Sequence, residues 1–153
     1  MEVGGISRDY IVHDEEKIHG FFGDYRFLSN FHRCKIEMFK LDFPSTENAY
    51  AAAKCLDPSR MKEFTKILPH ESKKLGGLIE MRPDWERIKY DIMSAVVFQK
   101  FLRHKDLREL LLATGDRALE EGNHWGDRSW GMCDGFGENK LGIILMKTRD
   151  FWK

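Results

Sequence analysis

The sequence predicts one domain in which several short helices outnumber a few short strands. Three observations carry this expectation. A chain of 153 residues can bury one real core but not two. Apolar residues recur at helical spacing from Met61 to Phe101 and again after Lys140, as on helices with one buried face. Before Pro44, short aromatic or alternating runs are broken by glycine and Ser-Asn pairs, the mark of strands and turns.

Residues 1–19 lack sustained periodicity and are read as an N-terminal extension, with a short strand at Tyr10-Ile11-Val12; residues 20–153 form the domain proper. Phe21, Phe22, Tyr25, Phe27, Leu28 and Phe31 make an aromatic run interrupted by Gly23, Asp24 and Ser29-Asn30, which predicts strands and turns against a core. Cys34 to Phe43 alternates loosely and predicts a strand or hairpin leading to Pro44. Pro44-Ser45-Thr46-Glu47-Asn48-Ala49-Tyr50-Ala51-Ala52-Ala53-Lys54 reads as a loop, a cap and a helix that stops near Asp57-Pro58. Met61, Phe64, Ile67 and Leu68 predict a short helix over 59–68, and Leu75, Leu78 and Ile79 another over 70–80, where Gly76-Gly77 suits close packing. Arg82-Pro83-Asp84-Trp85 opens a helix of about five turns whose stripe runs Trp85, Ile88, Ile92, Val96, Val97 and Phe101 to about Arg103. Asp106 to Thr114 is a further helix, stopped at Gly115, and Lys140 onward is the last. Between them, Asn123 to Gly142 holds five glycines and two tryptophans with little periodicity, the signature of a loop structured by packing; loops of this length in a compact domain usually serve function.

Formal net charge is zero, with 33% charged and 42% hydrophobic residues. That balance is ordinary for a soluble globular protein and argues against disorder, a membrane span or bulk capture of nucleic acid, although a local basic groove fits a neutral total. Cys34, Cys55 and Cys133 are widely spaced and odd in number, as expected of reduced thiols in the cytoplasm. No charged start precedes an apolar stretch, so no secretory leader is expected.

The chemistry is placed on Glu47 and Lys54. On a regular helix the seven-residue step turns about 700°, which sets the two on one face about 10 Å apart. Their neighbours are Ala, Tyr and Cys rather than further polar residues, so the pair is expected to face an interior or a cleft; buried charge is costly unless paired or used. A carboxylate and an amine at this spacing also occur on solvated helix faces, and composition is what favours the cleft. Ser29 and Asn30 fit both a turn and a ligand contact. Arg82 and Arg128 suit phosphate oxygens. Trp85, Trp125 and Trp130 offer planar faces, either for a base or to wedge the chain onto its core. Asn139 contacts substrate or ties the glycine loop to the final helix. Asp127 is a second candidate carboxylate. His124, Cys133 and Asp127 match no zinc spacing, and no metal or other cofactor is expected.

The order FLSNF (27–31), PSTENAYAAAK (44–54), RPDWE (82–86), LLATGD (111–116), WGDRSWG (125–131) and GENKLGIILMKTR (137–149) resembles the NADAR, or YbiA-like, family over roughly residues 20–152. The chain departs from the family pattern at Asn48, where members commonly have His, and at Ala51 or Ala52, where they often have Gln. The resemblance implies a helix-rich α+β fold and an N-glycosidase. The substrate it implies is a nucleotide or nucleic acid with ribose C1 on an exocyclic amine. One such substrate is ADP-ribosylated guanine in nucleic acid; the other is a ribosylamino-pyrimidine phosphate of riboflavin synthesis. For that bond, Lys54 is assigned as a Schiff-base nucleophile and Glu47 as the acid/base. A direct route has Glu47 or Asp127 activate water. The rival from another class is a reader that binds ADP-ribose or a modified base without cutting it and has no need of Glu47 and Lys54 together.

Overall fold

A computed structural model of the chain describes residues 15–153 in full, and before them the strand backbone at 2–3, 6–7 and 12–13. It is a helix-rich α+β structure with short strands. The strand expected at Tyr10-Ile11-Val12 falls mostly outside the described residues. The chain divides into two compact units, residues 1–29 with 106–153, and residues 30–105.

In the unit 1–29/106–153, β1 (Glu2–Val3) pairs antiparallel with β2 (Ile6–Ser7). A three-stranded sheet follows: β3 (Val12–His13) lies antiparallel to β4 (Lys17–His19). β4 in turn runs parallel to the strand Ala118–Glu120, with Ile18 beside Leu119. Both of these side chains are fully buried. The aromatic run expected as strands forms instead a 3₁₀ helix at Gly23–Leu28. Gly23 opens it at φ +55°, and the adjacent pair Phe27-Leu28 is buried together, which an alternating strand cannot do.

The unit 30–105 is built around one helix. The predicted hairpin is β5 (Ile36–Met38) against β6 (Leu41–Phe43), register Ile36 to Phe43. Its two-residue turn places Phe39 and Lys40 at φ 54° and 60°, the twist that suits a tight hairpin. Ser45 then caps α1 (Thr46–Ala52), accepting the Asn48 N–H at 3.1 Å. Every residue of α1 is buried, and its alanines let neighbours approach closely. The expected extension of this helix to Asp57-Pro58 is corrected: it ends at Ala52. Lys54 and Cys55 donate to Ala51 O and Ala52 O in tightened turns. Cys55 then bridges to Met81, and Leu56 N–H bonds Glu80 O. Extended pairing takes over from the helix.

The expected helix over 59–68 is a 3₁₀ helix, Pro58–Phe64, because Met61 and Phe64, three residues apart, are its buried pair and eclipse at that pitch. The helix expected over 70–80 is shorter, α2 (Pro69–Gly76), with Pro69, Ser72 and Gly76 buried. The long helix runs as predicted, α3 (Trp85–Arg103). Its buried stripe is Trp85, Met93, Val96, Val97, Lys100 and Phe101, so Met93 and Lys100 replace Ile88 and Ile92 of the predicted stripe.

Back in the first unit, α4 (Lys105–Ala113) buries Leu107 and Leu111 and leads to β7 (Ala118–Glu120). Two short parallel strands follow, β8 (Gly122–Asn123) and β9 (Met132–Cys133). The closing helix α5 (Lys140–Trp152) buries Leu141, Ile144, Leu145 and Thr148. Gly142 lets α5 meet β7, since a β-carbon there would stand 2.1 Å from Leu119 O. Among the described residues no helix is long and apolar enough to cross a membrane.

Candidate active site

Lys54 leaves the last turn of α1 with its backbone held on both sides. Its N–H bonds Ala51 O at 3.1 Å, and its carbonyl accepts the Arg82 N–H at 2.9 Å. The loss of regular helix at Ala52 removes the same-face argument for Glu47 and Lys54, yet the two remain electrostatically coupled. The half-buried amine is less basic than an ordinary lysine because burial strips its water. The Glu47 carboxylate partly opposes this, and the charges of Lys73 and Lys89 add to it. Nζ lies over two rings, 5.5 Å from the centroid of Tyr50 and 5.9 Å from that of Trp85. A third wall is Gly76, whose missing β-carbon would stand 3.6 Å from Nζ.

Glu47 is buried in the first turn of α1, where the helix dipole favours its negative charge. Asn30 builds that end of the helix. Its carbonyl accepts the Glu47 N–H at 3.1 Å, and its Oδ1 accepts the Thr46 hydroxyl at 3.0 Å. Asn30 Nδ2 points to Met93 Sδ at 3.4 Å, so this side chain is engaged in holding the backbone under Glu47. Asn48 faces inward. It is fully buried, donates to Phe64 O and Ile67 O at 2.9 Å each, and accepts from Ser45 Oγ at 2.5 Å. It fastens the 58–68 segment to α1.

Arg82 forms a two-pronged ion pair with Asp84, 2.6 and 3.0 Å, which holds the guanidinium firmly cationic. Trp85 is buried, tilted against Tyr50 with centroids 5.0 Å apart. In the unit 30–105, then, Glu47, Lys54 and Trp85 come together, Arg82 joins them through its backbone, and Asn30 supports them.

Ser29, Trp125, Asp127, Arg128, Trp130 and Asn139 belong to the other unit. Ser29 closes the 3₁₀ helix by donating its N–H to Arg26 O at 2.9 Å. The glycine- and tryptophan-rich loop is organised by three polar side chains. Buried Asn123 donates to Asp127 O at 2.9 Å and to Glu121 Oε2 at 3.0 Å, and accepts the Asp127 N–H at 3.1 Å. Asp127 Oδ1 accepts the amides of Ser129 and Trp130 at 3.1 and 2.9 Å. Asn139, at φ 51°, accepts the Glu121 N–H and donates to Leu119 O, 3.0 and 2.9 Å. Asn139 thus straps β7 to the start of α5. Trp125 and Arg128 are exposed, and Trp130 is half-buried. His124 is exposed with its ring against Trp125, and among the described residues no group of three His, Cys, Asp or Glu side chains could hold a metal.

Residues 13–152 match the NADAR domain model. The chain belongs to the NADAR family. Among curated NADAR relatives, it is 36% identical over 137 residues to a riboflavin biosynthesis protein of Vibrio vulnificus, 83% of this chain but 35% of that protein. It therefore spans about a third of that relative's length. It is 32% identical to the N-glycosidase YbiA of Escherichia coli, covering 83% of this chain and 81% of YbiA. It is 35% identical to an N-glycosidase of Nostoc punctiforme, covering 82% and 85%. The solution structure of Escherichia coli YbiA superposes with TM-score 0.80 at 30% identity, covering 95% of this chain and 89% of that one. Sequence reasoning overlooked two residues that adjoin the Lys54 amine. Tyr50 was legible only as the residue four before Lys54, a spacing at which helical neighbours meet. Gly76 had been marked for close packing without its partner.

Proposed function

We propose that the chain is an N-glycosidase that hydrolyses the bond between ribose C1 and an exocyclic base amine, with Lys54 as nucleophile and Glu47 as acid/base. The observation that carries this is the half-buried amine of Lys54, made less basic by loss of water and coupled to the buried carboxylate Glu47. Lysine amines attack carbonyl-like carbons when such a setting leaves them neutral.

In the reacting form the proton shared by Glu47 and Lys54 sits on Glu47, which gives it to the ring oxygen as the C1–O4 bond breaks, while the exocyclic nitrogen's lone pair forms a C1=N iminium. Neutral Lys54 adds its pair to C1. One proton moves from Nζ to the base nitrogen through Glu47, the C1–N bond to the base breaks, and the base leaves as a neutral amine. The C1=Nζ iminium then takes up water and loses a proton. Cleavage of C1–Nζ returns the amine and frees the sugar aldehyde, which recloses.

The substrate class is ADP-ribosylated guanine in nucleic acid or a ribosylamino-pyrimidine phosphate. Both present the required N–H, and the name of the Vibrio relative favours the second. Asp127 offers a second carboxylate, because only its Oδ1 is occupied by hydrogen bonds among the described residues. Ser29, Trp125, Arg128 and Trp130 are proposed substrate contacts on the same unit as Asp127. Arg82, Asn30 and Asn139 are assigned to support, Arg82 through Nε and Nη2 on Asp84 and the two asparagines through engaged side-chain amides.

The test offers both substrates to wild type, Lys54→Ala and Glu47→Gln, with borohydride present. Release of base, with a covalent sugar adduct on Lys54 alone, is the expected result. Turnover without an adduct favours direct attack by water, and binding without release favours a reader.

A further inference from the structure

Tyr50 and Trp85 have no part in the proton and bond changes above, yet both ring faces lie within cation–π range of Lys54 Nζ. Their rings meet at 59° with centroids 5.0 Å apart, forming a corner, and Nζ sits in it, 5.5 and 5.9 Å from the two centroids. Both residues are buried, 6% and 4% exposed, so water competes little for the ring faces. Gly76 and Ala51 close the far side, where a β-carbon on Gly76 would lie 3.2 Å from that of Ala51.

We propose that Tyr50 and Trp85 are positioning residues whose ring faces hold the cationic states of Lys54 Nζ, above all the iminium that joins it to the sugar. This rests on the Schiff-base reading. The physical argument is one of charge. Burial penalises any cation at Nζ, and the Lys73 and Lys89 charges penalise it further, while Glu47 and Glu86 offset part of the penalty. Glu47 must also change protonation during the reaction, so it cannot be the constant counter-charge. The negative faces of two aromatic rings can, because their quadrupoles do not titrate and attract a cation most when desolvated. A neutral amine gains little from them. The iminium carries its charge on the same nitrogen, in the same corner, so the rings favour the intermediate over the resting amine.

The test replaces Trp85 site-specifically with mono-, di- and tetrafluorotryptophan, which empty the ring face of charge with little change of shape, and adds Tyr50→Phe. Each protein is assayed with the ribosylamino-pyrimidine phosphate and with ADP-ribosylated guanine DNA, whichever wild type turns over. The readouts are kcat, the acid limb of kcat/KM against pH, and borohydride trapping. The expected result is a stepwise fall in kcat, about tenfold over the series. The acid limb should move to lower pH at the same time, since the ammonium loses the same support. Tyr50→Phe keeps a ring face and should stay within about twofold. A flat fluorine series with trapping intact would overturn the inference and leave the Schiff base standing. Turnover with no trappable adduct in wild type would overturn both.

Discussion

Gly76 and Lys54 meet across the packing of α2 on α1: a β-carbon on the first would stand 3.6 Å from the amine of the second, in ordinary van der Waals contact. Gly76→Ala adds about 1 kcal/mol of helix propensity and sets it against a tight contact with Ala51, so stability should change by less than about 1 kcal/mol. The added methyl meets Nζ only at contact distance, so kcat should hold within about twofold. Chemical denaturation and steady-state kinetics on the same preparation separate the two effects.

Asn48 joins the capped start of α1 to the carbonyls of Phe64 and Ile67. Asn48→Ala leaves both carbonyls buried without a donor, a loss of roughly 3 kcal/mol. Asn48→His restores one donor at best and should fall between. If this residue governed substrate polarity instead, thermal melting would barely move while KM changed.

Asp127→Asn retains an oxygen for the amides of Ser129 and Trp130, so the loop and the melting temperature should be preserved. A carboxylate used in proton transfer is worth roughly a hundredfold in kcat or more, and the Asn variant is expected to lose that much. Asp127→Ala should lose the loop's order as well, seen as faster amide exchange at Ser129 and Trp130.

Lys100 is wholly buried on α3 and its amine is pushed from 10.5 down to about 8 by loss of water, with Cys34 pulling weakly the other way. Above about pH 8 the folded protein binds fewer protons here than the unfolded chain. Folding stability should therefore rise with pH between about 8 and 10.5, by on the order of 3 kcal/mol if nothing else titrates. Urea unfolding across that range should show this slope in wild type and Cys34→Ser. Most of the slope should be lost in Lys100→Met, whatever that variant's absolute stability, leaving the smaller part that comes from Lys54, which is also less basic when folded.

The helices α3, α4 and α5 were legible because each buries apolar residues at regular helical spacing; Leu107 with Leu111, and Leu141 with Ile144, Leu145 and Thr148, are such sets. The hairpin Ile36–Phe43 was legible in its alternation. What the residues did not announce were ends and partners. Nothing local in Ala52-Ala53-Lys54 stops a helix; the stop comes from Met81 and Arg82, which bond Cys55 and Lys54 from far along the chain. Phe27-Leu28 looked like strand because aromatic content does not distinguish a strand from a 3₁₀ turn. Glu47 and Lys54 were singled out through their apolar neighbours, whereas Tyr50 and Gly76, having no charge to mark them, became visible only beside the amine.

The position of Lys54 just past its helix has a chemical corollary. Its peptide groups are moored, one to Ala51 and the other to Arg82, so the travel of the nitrogen is set by the length of the side chain alone. Installing a cysteine at position 54 and alkylating it with bromoethylamine yields a thioether of nearly lysine reach with a less basic amine. Such a semisynthetic enzyme should recover turnover and reach its plateau at lower pH than the natural chain, whereas a propylamine homologue, one atom longer than lysine, should not.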